Sequence, residues 1–253
     1  MNAEPSGHLH VTDDGGVRTI EIDRPEAKNA LNGAMRRELC ELLAAADRDS
    51  GVRAVVLAAV DPVFSAGVDF KDVEPGFDAA GARFAVNPGR ALRAMRTPVI
   101  CAVNGACVSG ALEIALSSSF VVASERARFA DTHARLGVVA TWGLTALLPR
   151  AVGVRRAREM SITGNFVDAA TALAIGLVNH VVPHEDLRPV ARRLAADIAD
   201  TPAVGEVLDL YARGEHLSLA AALELEAEMT SRRAVDLGAF RAAGEATARR
   251  QRS

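Results

Sequence analysis

Pro98-Val99-Ile100-Cys101-Ala102-Val103-Asn104-Gly105, followed by Gly110-Ala111-Leu112-Glu113, decides the reading of the fold. Val99 to Val103 is a short, β-branched apolar run, the pattern of a strand buried on both faces. Small residues follow it, and Gly110 then opens a helix expected to run through Ser117. The N–H groups of a first helical turn lack internal partners and carry partial positive charge. They suit an oxyanion. Glu113 lies in that turn, where it can do chemistry or merely complement the helix dipole.

Working outward, Val52 to Val60 and Phe120 to Ala123 repeat the buried-strand pattern. Val17 to Ile22 alternates apolar and polar residues and reads as a strand ended by Arg24-Pro25. Asn32 is placed to cap a helix over 33–47 with Leu39, Leu42 and Leu43 on one face. Residues 61–76 read as a loop, and Ala91 to Arg96 as the end of a helix stopped by Pro98. Strands alternating with helices predict an α/β fold with parallel elements. From Leu187 the chain is alanine-rich and helical in spacing, Pro202 separates two helices, and Leu219 to Asp236 forms another. The expected organisation is a core over 1–195 and a helical segment over 196–253.

The composition excludes several classes. Apolar residues make up 49% and charged residues 24%, ordinary for a globular chain with a full core. A net charge of −3 argues against a chain-wide footprint for nucleic acid. No apolar run approaches the roughly 20 residues that span a bilayer. The polar N-terminus carries no signal-like segment, so a cytoplasmic protein is expected. Cys40, Cys101 and Cys107 form no C-x-x-C pair and read as reduced thiols. Phosphate-loop, zinc-protease and dinucleotide motifs are missing, and Ser109 is not in a G-x-S-x-G elbow. His8 and His10 are read as part of a mobile terminus rather than a metal pair. Neither a metal nor an organic cofactor is called for.

Phe64-Ser65-Ala66-Gly67-Val68-Asp69-Phe70 follows a buried strand with small residues that let backbone approach a ligand closely. Alone it could be an ordinary turn. Together with 98–113 it makes the chain resemble the crotonase (enoyl-CoA hydratase/isomerase) family. Arg24-Pro-Glu-Ala-Lys-Asn-Ala-Leu-Asn32 looks like that family's N-terminal signature. Leu136-Gly137, Gly143-Leu144, Leu147-Leu-Pro-Arg150, Thr163-Gly164 and Ala169 to Val182 resemble its later segments in order.

The resemblance implies a crotonase-like spiral of repeated ββα units with a C-terminal helical segment, assembled as a homotrimer or homohexamer. It implies an acyl-CoA thioester substrate, coenzyme A being part of that substrate. The thioester oxygen would be held by the N–H groups of Val68 and Gly110, with Glu113 as acid/base. Ala27, Lys28, Ala66, Gly67, Asp69 and Phe70 match the family's substrate-binding surface. The family's second glutamate falls on His133, which could replace it, stand by, or mark lost activity. If extended, the segment would put Asp131 and His133 on one face, so that Asp131 orients the ring or acts as the carboxylate itself. Val138 to Gly143 also departs from the family, with bulkier residues, Trp142 above all, expected to narrow the acyl pocket or reshape its wall. The implied activity is hydration of a 2-enoyl-CoA. The alternatives are an enoyl-CoA isomerase using Glu113 alone and a silent acyl-CoA-binding protein.

Overall fold

In a computed structural model the described residues are 6–69, 71, 86–231, 238, 240–242 and 244–245. The chain divides into two compact units, Met1–Glu206 and Val207–Ser253. The first unit therefore extends beyond the boundary expected at residue 195.

Strand β3 (Ala54–Ala59) is buried at every position. Val55, Leu57 and Ala59 enter one core, while Ala54, Val56 and Ala58 enter another on the opposite face. The same alternation holds in β4 (Val99–Val103) and β6 (Phe120–Ser124). Continuous apolar runs are what a sheet covered on both faces requires. With β1 (Leu9–Asp14), β2 (Val17–Ile22) and β9 (His180–Val182), these strands form one sheet in the order β1-β2-β3-β4-β6-β9. Only the β1–β2 pairing in it is antiparallel. Leu57 stands opposite Cys101, and Cys101 opposite Val121.

A smaller sheet runs in the order β5 (Ala106–Val108), β7 (Arg128–Ala130), β8 (Val167–Asp168). Successive strand pairs, β4 with β5 and β6 with β7, thus place one strand in each sheet. The first pair is followed directly by helix α3 (Gly110–Ser117). This is the ββα repeat.

Helix α1 (Gly33–Arg48) starts where expected, with the Asn32 side chain accepting from the Met35 N–H. It buries Met35, Leu39 and Leu43 in the first core. Helix α2 (Pro88–Arg93) ends earlier than the sequence suggests, and Met95 turns into the core before Pro98. Helices α4 (Leu144–Val152), α5 (Val154–Thr163) and α6 (Ala169–Ala174) follow. Helix α7 (Leu187–Ala196) covers the second face through Leu187, Ala191 and Ala195, spaced one helical stripe apart. Helices α8 (Pro202–Gly214) and α9 (Leu219–Ser231) complete the described elements, α8 beginning at Pro202. No described helix is long and apolar enough to cross a membrane.

The expected mobile terminus at His8 and His10 is corrected. His8 Nδ1 contacts the Asp23 carbonyl oxygen at 3.1 Å, and His10 lies in β1 with Nε2 3.0 Å from Asp23 Oδ2. The segment reads as polar because β1 is an edge strand with only Leu9 buried. No described group of three or more His, Cys, Asp or Glu side chains could hold a metal. The cysteines are free; burial raises the Cys40 thiol to about 11 and pushes those of Cys101 and Cys107 higher.

Because the large sheet is covered on both sides, Leu57→Ala and Ile100→Ala should destabilise by similar amounts, about 2–5 kcal/mol each. Chemical denaturation measures both. A cost for Ile100→Ala below about 0.5 kcal/mol, as at exposed sites, would contradict a buried face under α7.

Candidate active site

The loop 24–31 is built around Asn29. It adopts φ 53° and is fully buried. Its Oδ1 accepts from the Arg24 N–H at 2.8 Å, and its Nδ2 donates to the carbonyls of Val60 and Val63 at 2.8 and 2.7 Å. Ser65 Oγ donates to the Asn29 carbonyl at 2.7 Å and accepts from the Gly67 N–H at 3.1 Å. The loop 64–69 is thereby fixed on one side. Backbone bonds from Ala66 N to Lys28 O, Leu31 N to Gly67 O and Asp69 N to Leu31 O lace the two loops together. On the other side, Ser65 N donates to Ala106 O and Val108 N to Ser65 O, joining the loop to β5.

Gly67 has φ 90°, and a Cβ there would lie 2.8 Å from Val108 O and 3.1 Å from Gly110 N. A Cβ on Gly110 would lie 3.5 Å from Val68 N. At position 67 only glycine permits this approach. It brings the N–H groups of Val68 and Gly110 into one small region from separate loops. Neither finds an acceptor among the described residues. Ser109, at φ 50° and ψ −108°, makes the strained turn into α3. Its N–H donates to Ala130 O at 2.9 Å, and its Oγ accepts from the Thr132 N–H at 2.9 Å. The start of α3 is thus tied to the segment carrying Asp131 and His133.

Glu113 is buried, and its Oε1 accepts from the N–H groups of Trp142 at 2.6 Å and Leu144 at 3.2 Å. Its other oxygen, Oε2, lies 3.8 Å from His133 Nε2. Burial raises the carboxyl above the usual glutamate range, against the opposing N–H of Leu144, His133 and the Trp142 N–H. On the far side of the ring, Asp131 Oδ1 stands 2.7 Å from His133 Nδ1 and accepts the His133 N–H at 3.1 Å. Burial pushes the Asp131 carboxyl up, but hydrogen bonds from His133 and Ser161 more than offset it, and it stays below the ordinary range. An ionised Asp131 can only accept, so Nδ1 carries the hydrogen in this contact. In neutral His133 the Nε2 lone pair then faces Glu113.

The expected contact between Asp131 and His133 is therefore present, but not through an extended chain. β7 stops at Ala130, and His133 is helical at φ −54° and ψ −49°. Asp131 reaches forward to both backbone and ring instead. Trp142 is buried, with Cζ3 3.1 Å from where a Gly110 Cβ would be, so the indole packs against the side of Gly110 where a side chain would project. Ala27 is half-buried, Lys28 exposed and Ala66 half-buried on the laced loops. Asp69 is occupied: Arg24 Nη1 lies 2.6 Å from its Oδ2, and that arginine holds its carboxyl below the usual range. Phe70 lies outside the described residues.

The family model described as enoyl-CoA hydratase/isomerase matches residues 12–236. This chain belongs to the enoyl-CoA hydratase/isomerase, or crotonase, family. It is 34% identical to a peroxisomal protein named probable enoyl-CoA hydratase 1 of Arabidopsis thaliana, covering 85% of this chain and 82% of that one. A probable enoyl-CoA hydratase of Rhizobium meliloti is 37% identical, covering 86% of each. The crystal structure of an enoyl-CoA hydratase from Mycobacterium tuberculosis is 42% identical with a TM-score of 0.73, covering 89% of this chain and 98% of that chain. The fold is that of the crotonases.

Sequence reasoning missed what holds the crotonase-type site in place. Asn29 stood within the quoted N-terminal signature and could have been singled out. The Trp142 and Leu144 donors to Glu113 are main-chain groups and have no residue signature.

A carboxyl whose midpoint is raised by folding stabilises the protein below its ordinary value of 4.5. That contribution is lost as pH rises through the raised value. Glu113→Gln does not titrate. Its thermal midpoint relative to the parent chain should therefore be higher at about pH 8 than at about pH 4. Calorimetry at the two values checks the sign.

Proposed function

We propose that this chain is an enzyme that adds water across the C2–C3 double bond of 2-enoyl-CoA thioesters. The observation that carries the reading is the 3.8 Å separation of His133 Nε2 and Glu113 Oε2, with the N–H groups of Val68 and Gly110 close together at the start of the helix that carries Glu113. Groups so spaced can share one water, its oxygen about 2.8 Å from each. The N–H groups of Val68 and Gly110 hold the thioester oxygen and stabilise the enolate; one such donor is worth about 10²–10³ in rate.

His133 then stands in for the second carboxylate of the family. Its Nε2 takes a proton from the water as the oxygen bonds to C3, and the C2–C3 π electrons move toward the thioester oxygen. Asp131 stabilises the imidazolium that forms. Glu113, whose raised midpoint favours the protonated form, gives its proton to C2 as the enolate collapses. Transfer from Nε2 to the Glu113 carboxylate restores both groups. The net change is one water added.

Ala27, Lys28, Ala66 and Gly67 receive the coenzyme A portion, with the exposed Lys28 available to a phosphate. Asp69 holds the loop through Arg24. Trp142 forms a wall of the acyl site. We place the protein in the cytoplasm. The helical segment 196–253 serves assembly into a homotrimer or homohexamer, a reading in keeping with the exposed Tyr211, Leu219 and Leu223.

Mixed with crotonyl-CoA, the protein should remove the conjugated enoyl-thioester absorbance. Glu113→Gln and His133→Ala should each slow this by roughly 10²–10⁴. Gly110→Pro should be worse, because it deletes the N–H outright. No loss of absorbance at any chain length would remove the reading. Conversion of a 3-enoyl-CoA to the conjugated thioester, unaffected by His133→Ala, would replace it with isomerisation by Glu113 alone.

A further inference from the structure

Glu113 is held by the N–H groups of a turn, so whatever holds the turn controls the carboxylate. That turn, 141–143, is bonded to α2 by the Arg93 side chain. Arg93, although an exposed residue, sends Nη1 to both the Trp142 carbonyl and Ser117 Oγ, each at 2.8 Å. Both partners touch Glu113. Trp142 donates its N–H to Oε1 at 2.6 Å, and Ser117 Oγ donates to the Glu113 carbonyl at 2.7 Å. One guanidinium nitrogen therefore joins the main chain of α3 to the turn that caps its carboxylate.

The backbone around this bridge leaves no room for slack. A Cβ on Gly89, also in α2, would lie 2.8 Å from Trp142 O, 3.1 Å from Ser117 Oγ and 3.2 Å from Arg93 Nη1. Gly143, at φ 126°, would place one 2.9 Å from the same nitrogen. Helix α2 is thus pressed onto the turn through a glycine, and its last residue fastens the contact.

The geometry points to Arg93 as a positioning residue that aims the Trp142 N–H at Glu113 and so sets the proton state in which Glu113 works. The role rests on the reading of Glu113 as the acid/base. Arg93 acts through the Trp142 peptide, not on the substrate. Among the described residues, the titratable groups that face Glu113 itself are His133, and Asp131 behind it. Loss of the Trp142 hydrogen bond removes a group that favours the ionised carboxylate, so the midpoint of Glu113 should move up.

The test is a titration of the Glu113 side-chain carboxyl by carbon NMR of protein labelled at glutamate Cδ, with Glu113→Gln assigning the resonance. Arg93→Met removes the bridge. Gly89→Ala wedges it open while keeping the Arg93 side chain in the protein. Both should raise the Glu113 midpoint above that of the parent chain, and Arg93→Lys should bring it back toward the parent value. With crotonyl-CoA, the falling limb of the kcat profile, set by ionisation of the acid Glu113, should shift to higher pH in step, with KM changed less than twofold. An unchanged midpoint in a folded Arg93→Met or Gly89→Ala variant overturns the proposal, and if one variant does not fold the other decides. The titration needs no substrate. Inactivity of the parent chain toward enoyl-CoA would sink the hydratase reading while leaving the positioning of Glu113 to be judged by the midpoint alone.

Discussion

The close approach of two backbone loops, Gly67 against Val108 and Gly110, is the constraint on which the rest depends. No side chain fits between them. Two N–H groups are brought together there and left without acceptors among the described residues. An unpaired amide is costly in a folded protein. The strain at Ser109 adds to that cost. The surrounding hydrogen bonds of Asn29, Ser65 and Thr132 hold the arrangement against relaxation. A site that must bind developing negative charge gains from this, because the donors need no reorganisation when the charge appears.

Around that point the fold pushes two carboxyl groups in opposite directions. Asp131 is held ionised by its hydrogen bonds, and Glu113 is pushed toward the neutral form by burial. His133 lies between them and contacts both. Carboxylates with opposite shifts on either side of an imidazole give one end that anchors charge and one end that exchanges a proton. In the proposed mechanism, His133 in place of a second glutamate is a different distribution of the same tasks. The carboxylate has moved behind the histidine, at Asp131.

The parts of this architecture visible in the sequence are those whose side chains must be apolar. β3, β4 and β6 are sandwiched between two cores, so their runs are unbroken and their positions readable. β1 was hidden because five of its six positions are exposed. β5, β7 and β8 are two or three residues long and carry no period. Within the site, Val68, Gly110, Glu113 and His133 could be named from motif position; Val68 and Gly110 lie close together, and His133 lies 3.8 Å from Glu113. The mode of the contact between Asp131 and His133 could not, since it depends on His133 turning helical directly after a strand. The Arg93 bridge was equally hidden, because its partners are a carbonyl and a serine far along the chain.

Those short strands nevertheless decide the site. Val108 pairs with Ala130 in the smaller sheet. Gly110 and His133 each follow that rung within a few residues, and Ser109 bonds directly to Ala130 and Thr132. A slip of one residue in this pairing would turn neighbouring side chains to opposite faces. It would also carry His133 away from Glu113, whose place is set by α3. The large sheet fixes the register indirectly: β4 leads into β5, β6 leads into β7, and Ala102 stands opposite Val122. The buried apolar runs that supply stability are therefore the ruler by which two loops, too short to have structure of their own, bring a histidine within 3.8 Å of a glutamate.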